Sequence, residues 1–215
     1  TNVALSGGSD SGSFRLGLGH TDQTGIVPNT SLKRTNLSIN AQYNLTDKLK
    51  AGADIKYSNT GGVRAQKGSN VAGIMLSLFR TPASYDLRDY ETSIGTNKNY
   101  FAPYDNPYYT VYNNTYEDET NRNIISGHIT YNQSKAFNAL LRAGVDTYTT
   151  HAQQNYSYSS NGNSTGDGKG QVILDTYTAS LYNLDLIFNG DFKFMNDNLS
   201  LSYNAGLSIN SKFSN

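Results

Sequence analysis

A group of aromatic residues near the middle of the chain has the chemistry to contact a ligand. Aromatic faces stack on sugar rings, and nearby Asn and Asp side chains can hydrogen-bond to hydroxyl groups. Tyrosines also anchor ordered loops and protein interfaces, so a structural or partner-docking role stays open beside glycan contact. The six candidate contact residues are Tyr100, Phe101, Tyr104, Tyr108, Tyr109 and Tyr112.

Residues 161–170 are rich in Asn, Gly, Ser and Thr, as in some loops that bind phosphate or calcium. A phosphate loop requires Ser or Thr after its Lys, whereas Lys169 is followed by Gly. The Asn and Thr residues have the alternate spacing of calcium ligands, but Val172 stands where a bidentate Glu is required. We interpret the segment as an exposed loop tip, and ion binding there stays open.

No residue pattern in the sequence supports catalysis or a cofactor. The three histidines lie far apart without ligand-like spacing, the chain has no Cys, and no nucleophile stands beside a base. Asp54 is expected to lie near Lys56 on the polar side of a strand. Asp146 is expected to lie near Arg142, and both pairs are interpreted as charges paired in solvent. We therefore predict a protein that is not an enzyme, with no cofactor and no metal site.

The charge balance and the lengths of the apolar runs argue against a nucleic-acid partner and against a transmembrane helix. Lys and Arg total 17 and Asp and Glu total 17, so no net charge favours nucleic acid as a partner. The longest apolar run, residues 74–79, is far shorter than the roughly 20 residues of a transmembrane helix. No charged and apolar leader opens the chain, and both ends lie against strands, so we expect an internal segment of a longer protein.

The elements that would position these residues are eight segments in which apolar and polar residues alternate. Period-two alternation places one set of side chains on each face of a pleated sheet. Most segments exceed the roughly 5 to 6 residues of strands in globular proteins and reach the roughly 9 to 11 that cross a bilayer. The predicted strands are residues 2–8, 13–24, 33–44, 49–59, 122–133, 137–153, 183–194 and 199–212.

The connections between these strands alternate between tight and long. The tight ones are residues 9–12, 45–48, 134–136 and 195–198, and the long ones are residues 22–32, 60–121 and 154–182. This asymmetry is typical of an antiparallel up-and-down sheet with one edge facing a confined compartment. Aromatic residues of the apolar set lie beside the tight turns, as in an interfacial girdle, although aromatics also favour strands in general. They are Phe14, Tyr43, Tyr131, Phe137 and Phe194.

A sheet of this kind in lipid must close into a barrel, because its backbone groups cannot stay unpaired there. Its inward positions hold short polar residues and glycines instead of bulky side chains, which predicts an arc of a wide transmembrane barrel and not a complete small one. A passive porin, a surface adhesin and a soluble glycan-binding β-sandwich stay open as alternatives.

The longest connection, residues 60–121, is predicted to be a long extracellular loop that contains a short helix. Apolar residues from Val71 to Phe79 recur at helical spacing, with Asn70 as a cap and Pro82 as a stop. We expect this helix to pack the loop against the barrel mouth or against a partner.

Four motifs occur in order along nearly the whole chain. They are VALSGGS with GSFR at residues 3–15, DQTGIVPNT with LKR at 22–34, DNPYY at 105–109 and NRNIISG at 121–127. Together they resemble the barrel of the SusC/RagA family of TonB-dependent outer-membrane transporters.

The resemblance implies a barrel of about 22 strands in the outer membrane of a Gram-negative bacterium, of which residues 1–215 would be a partial barrel domain. It implies import of oligosaccharides or peptides, energised by the TonB complex through a plug domain and a TonB box that this sequence lacks. The expected partners are a SusD-like surface lipoprotein, the TonB complex, outer-membrane lipid and the oligosaccharide or peptide substrate, with no nucleic acid. The tight turns would face the periplasm and the long loops the outside.

Overall fold

The computed structural model describes residues 1–66, 71–162, 169–194 and 199–215. Within them, eight antiparallel strands pair in chain order to form one sheet. The strands are β1 (Asn2–Ser9), β2 (Gly12–Thr24), β3 (Ser31–Asn44), β4 (Leu49–Arg64), β5 (Tyr116–Ser134), β6 (Phe137–Tyr156), β7 (Gln171–Phe194) and β8 (Leu199–Ser214), and two helices, α1 (Ile74–Arg80) and α2 (Pro107–Asn113), lie between β4 and β5. The prediction of an all-β, up-and-down antiparallel sheet is confirmed.

The strand register places the apolar residues in continuous rows on one face of the sheet. One row crosses six neighbouring strands and consists of Leu5, Leu16, Ile39, Ile55, Ile125 and Val145. No element of the described chain packs over this face; Leu5 is 61% exposed and Ile55 is 39% exposed. The sheet is therefore one layer thick, with an apolar face that has no protein cover within the described residues.

On the opposite, polar face of the sheet, hydrogen bonds to Asp residues connect neighbouring strands. On four successive strand pairs, a donor on the earlier strand reaches an Asp on the next strand. The pairs are Asn40–Asp54 at 2.5 Å, Arg64–Asp118 at 2.6 Å, Arg122–Asp146 at 2.5 Å and Arg142–Asp185 at 2.7 Å. These contacts link β3 to β7 without a break.

The pairing of Asp54 with Lys56 and of Asp146 with Arg142 is therefore wrong. The expected partners lie on the same strand, whereas residues that face each other across a strand pair come closer than residues two or four apart along one strand. Arg142, for example, lies directly opposite Asp185 in the register.

The strands extend further towards the long connections than the sequence pattern predicts. β4 ends at Arg64, β5 begins at Tyr116, and β7 begins at Gln171, twelve residues before its predicted start at 183. The long connections shorten accordingly to residues 25–30, 65–115 and 157–170. The predicted tight turn at 195–198 lies outside the described residues.

The long connection contains the predicted short helix, α1, and a second short helix, α2, that the sequence pattern does not indicate. α1 ends before Pro82, as the pattern predicts, but it begins after Gly73, its N-cap residue, and not at Val71 with Asn70 as the cap; Asn70 lies outside the described residues. α2 has only seven residues and is rich in Tyr, Thr and Val, which are weak helix formers. Among the described residues, neither helix has the length and hydrophobicity to cross a membrane.

Replacing Gly190 by Ala should destabilise the fold, since a Cβ there would lie 2.0 Å from the backbone oxygen of Ala136. Overpacking of this kind costs about 1 to 3 kcal/mol. The matched control is Gly127→Ala, whose Cβ would lie 3.7 Å from its nearest neighbour and should change stability by less than about 1 kcal/mol. Thermal unfolding of the purified full-length protein measures both, and equal melting temperatures would contradict the close approach.

Candidate functional site

The three long connections leave the same end of the sheet and contact one another. We call residues 25–30, 65–66, 71–115 and 157–162 the loop body. Asn29 of the first connection donates to the backbone oxygen of Val111 in the second, at 3.0 Å. The second and third connections share a buried hydrogen-bond network, so the three loops form one packed unit.

Asp105 is the centre of this network and is only 1% exposed. Its carboxylate accepts hydrogen bonds from Asn97 Nδ2 at 2.9 Å, from Asn114 Nδ2 at 3.3 Å and from Ser160 Oγ at 2.5 Å. The backbone N–H and the Nδ2 group of Asn161 both donate to it at 2.8 Å. A carboxylate that is removed from water needs such donors, and here they come from two separate connections.

Helix α2 is fixed beside Asp105 by its own first residues. Asn106 is the N-cap and accepts a hydrogen bond from the Tyr108 N–H at 2.9 Å, and Pro107 occupies the first helical position, where its missing N–H is not needed. One face of the helix is buried against the third connection. The hydroxyl of Tyr109 lies 2.5 Å from Ser157 Oγ and 2.6 Å from Ser159 Oγ.

The structure distributes the six candidate aromatic residues over three environments. Tyr109 is 1% exposed and offers no surface to a ligand. Tyr100, Phe101 and Tyr104 lie near the end of α1, and Tyr108 and Tyr112 lie on the outer face of α2. The sequence pattern therefore groups residues that the fold separates.

The aromatic residues near α1 form a small exposed cluster. The ring of Phe101 stacks on Tyr104 with centroids 6.0 Å apart, and Tyr100 meets Tyr85 edge-on at 5.2 Å. The Arg80 guanidinium lies 4.8 Å from the centre of the Tyr104 ring and donates to its hydroxyl at 2.5 Å. A cation over an aromatic face stabilises both side chains in place.

Tyr108 and Tyr112 combine with Tyr90, a residue that the sequence does not single out. The three ring centroids are 5.8 to 6.5 Å apart, and the ring planes deviate from parallel by 20 to 29°. We call these three residues the tyrosine platform. The only sequence signal for Tyr90 is its position in the same long connection.

The charged groups around the platform are largely paired with one another. Asp86 and Arg88 form an exposed ion pair at 2.8 Å, and hydrogen bonds from Arg88 lower the pKa of Asp86 to about 2. Lys98 pairs with Asp89, which raises the pKa of Lys98 through their hydrogen bond.

The Asn- and Gly-rich segment at 161–170 is described only in part. Asn161 contributes two hydrogen bonds to the Asp105 network, and residues 163–168 lie outside the described residues. In the described ranges, no group of three or more His, Cys, Asp or Glu side chains has an arrangement that would hold a metal ion.

No protein-family model matches the chain, and no curated protein matches it. Solved structures do match it. The RagAB peptide transporter aligns with a TM-score of 0.72 and 19% identity over 99% of this chain and 25% of that chain. The RagAB peptide importer aligns in its closed-closed state with a TM-score of 0.66 and 16% identity (99% and 29% of the two chains), and in its open-open state with 0.68 and 18% (99% and 25%). This chain spans about a quarter of their length, and the likeness shows a shared fold.

Replacing Asp105 by Asn should loosen the loop body, because an amide group would face donors that need an acceptor. Each hydrogen bond to a charged group contributes about 1.5 to 3 kcal/mol, so we expect local stability to fall by roughly 2 to 4 kcal/mol. Hydrogen exchange on the full-length protein should rise at residues 97–99, 105–114 and 157–162 but not in β1 to β3.

The control for this prediction is Asp86→Asn, which removes a carboxylate from the same connection. Its ion pair with Arg88 is exposed, and such pairs contribute little. If both variants exchange equally, Asp105 is not the centre of the loop body.

Proposed function

We propose that the chain is part of the barrel wall of an outer-membrane transporter of a Gram-negative bacterium that imports oligosaccharides or peptides. The observation that carries this proposal is the apolar sheet face without protein cover. Monomeric soluble proteins rarely expose contiguous apolar surface of this extent. Lipid is the medium that such a face requires.

The dimensions of the apolar face suit a bilayer. Its residues in β8 run from Leu199 to Ile209, which is about 34 Å of strand at about 3.4 Å per residue. At the roughly 35 to 45° tilt of barrel strands, this length gives a height of about 26 Å, close to the apolar band of about 25 Å in outer-membrane barrels. A soluble sandwich would need a second sheet over the same face, and the described residues fold into one sheet.

Within the described ranges, β1 and β8 each pair with one neighbouring strand only. In lipid their free edges must pair with further strands, which supports an arc of a larger barrel. The resemblance to SusC/RagA transporters implies about 22 strands in the whole barrel. The resemblance of four motifs to SusC/RagA transporters and the fold shared with RagAB structures support active import. In this proposal the TonB complex supplies the energy through parts of the protein outside this sequence.

The loop body is proposed to lie on the extracellular side, where it meets the substrate and a SusD-like lipoprotein. The proposed contacts are the exposed residues Tyr100, Phe101 and Tyr112 and the half-buried residues Tyr104 and Tyr108, with Tyr109 buried beneath them. Exposed apolar side chains of α1, namely Met75, Leu78 and Phe79, give the lipoprotein an apolar surface to cover.

A lysine in the apolar row should block membrane assembly. We expect Ile125→Lys in the full-length protein to reduce the amount folded in the outer membrane, because Lys at the lipid midplane of a barrel costs about 2 to 4 kcal/mol. Ser126→Lys is the matched control, since Ser126 is the next residue and faces the polar side. Heat-modifiable mobility of the membrane fraction measures folding, and equal loss in both variants would contradict the lipid-facing assignment.

Deleting the gene for the full-length protein should abolish growth on its oligosaccharide or peptide substrate, and deleting TonB should do the same. The reason is that active import through a plugged barrel requires coupling to the inner membrane. Growth and uptake of labelled substrate measure this. Uptake that continues without TonB would favour a passive porin, and a full-length protein that is soluble without detergent would refute the membrane assignment.

A further inference from the structure

We propose that the polar face of the sheet binds a negatively charged solute, so that the solute imported through this wall carries carboxylate groups. This inference rests on the proposed import function and adds the charge of the substrate. The charge is independent of whether an oligosaccharide or a peptide carries it. Within the polar face, a hollow beside Arg15 on β2 is assigned to bind one carboxylate.

The strands sort charged residues between the two faces of the sheet. The whole chain has 17 Lys and Arg and 17 Asp and Glu. Within the eight strands, the register places nine Lys and Arg and six Asp on the polar face. The apolar face carries Lys33 against Asp22, Glu117 and Glu119. The polar face therefore has a net positive charge, although the chain as a whole is neutral.

The charges that the polar face exposes are mainly cations. Its three Arg–Asp pairs neutralise six charges, and the carboxylates in them are half-buried or buried. Five other cations are exposed and make no ion pair with a residue of the described ranges. They are Arg15, Arg34, Lys50, Lys56 and Lys212.

A shallow hollow of about 690 Å³ lies on this face between β1 and β5. Gly8 adds no side chain to it, and Arg15 and Gln42 line it with N–H donors. His128 reaches the hollow across Gly52, where a Cβ would lie 2.3 Å from the imidazole ring. A carboxylate accepts hydrogen bonds at two oxygens, and a guanidinium with neighbouring N–H donors suits it.

The three carboxylates outside the Arg–Asp pairs do not cancel the positive charge. Asp54 also lines the hollow, but it is half-buried and accepts a hydrogen bond from the neighbouring strand. Lys50 and Lys56 lie on either side of it along β4. Asp175 and Asp191 are exposed, but they lie towards opposite ends of β7. The middle of the face therefore keeps its excess of cations.

A wall of one charge sign concentrates solutes of the opposite sign. In the proposed barrel the polar face encloses an aqueous space, and low-dielectric walls focus the field of the charges that line such a space. Rings of Arg and Lys select anions in pores by the same physics. Because the five exposed cations make no ion pair among the described residues, an anion binds to them without displacing a carboxylate of the protein.

The test is calorimetric titration of the detergent-solubilised full-length protein with two anionic probes, hexagalacturonate and hexaglutamate, and two neutral ones, maltohexaose and a Gly-Ser hexapeptide. We expect at least one anionic probe to bind about tenfold more tightly than the neutral probe of its own class. Raising the salt concentration from about 50 to about 300 mM should reduce this preference, because the Debye length shortens. The two anionic probes distinguish an acidic oligosaccharide from an acidic peptide.

Charge variants on the two faces locate the binding surface. Arg15→Gln and Lys56→Gln should each weaken binding of the anionic probe by about threefold, as expected for loss of one nearby charge in water. Lys33→Gln is the matched control, because Lys33 is also exposed but lies on the apolar face. Its affinity for the anionic probe should be unchanged.

The proposal is overturned if neither anionic probe binds more tightly than its neutral counterpart, or if Lys33→Gln weakens binding as much as Arg15→Gln. It is also overturned if Arg15→Gln and Lys56→Gln lower the melting temperature but leave anion binding unchanged, since the positive face would then contact another part of the protein. Membrane assembly and TonB dependence are measured separately, so failure here differs from failure of the import proposal.

Discussion

Strand register is the constraint on which the rest of this structure depends. Each strand pairs directly with the next, so that Ile39 faces Ile55 and Ile55 faces Ile125. A slip of one residue in any pair would move every side chain of that strand to the other face. Correct register therefore creates three features at once, namely the apolar rows, the line of Asp contacts on the polar face, and the gathering of the long connections at one end.

Alternation predicts those parts of the strands that have one apolar and one polar face, and it fails where both faces are polar. The start of β5 illustrates this, since Glu117 and Asp118 point to opposite faces and give no period-two signal. At the start of β7, the adjacent apolar residues Val172, Ile173 and Leu174 also break the alternation. Backbone pairing continues through these residues because the neighbouring strand supplies partners regardless of side-chain type.

The loop body could be predicted only in outline. Its aromatic residues and one helix are visible in the sequence, but the partners of Asp105 lie between 8 and 56 residues away and carry no common pattern. Tyr90 is hidden for the same reason, because its neighbours on the platform come from a helix of seven residues. Contacts between distant loops depend on tertiary packing, for which a single sequence gives no periodicity.

Side-chain hydrogen bonds hold the loop body against the end of the sheet. Asn155 at the end of β6 donates through its side chain to Thr115 Oγ1 at 2.8 Å, and Gln154 donates to Gln66 Oε1 at 2.8 Å. Thr115 and Gln66 belong to the loop body, so both hydrogen bonds join the loop body to strand β6 of the sheet. The second and third connections cannot separate without breaking contacts to Asp105, and the first is joined to the second through the Asn29–Val111 hydrogen bond. The tyrosine platform is therefore joined to the sheet through α2 and the contacts of Asp105.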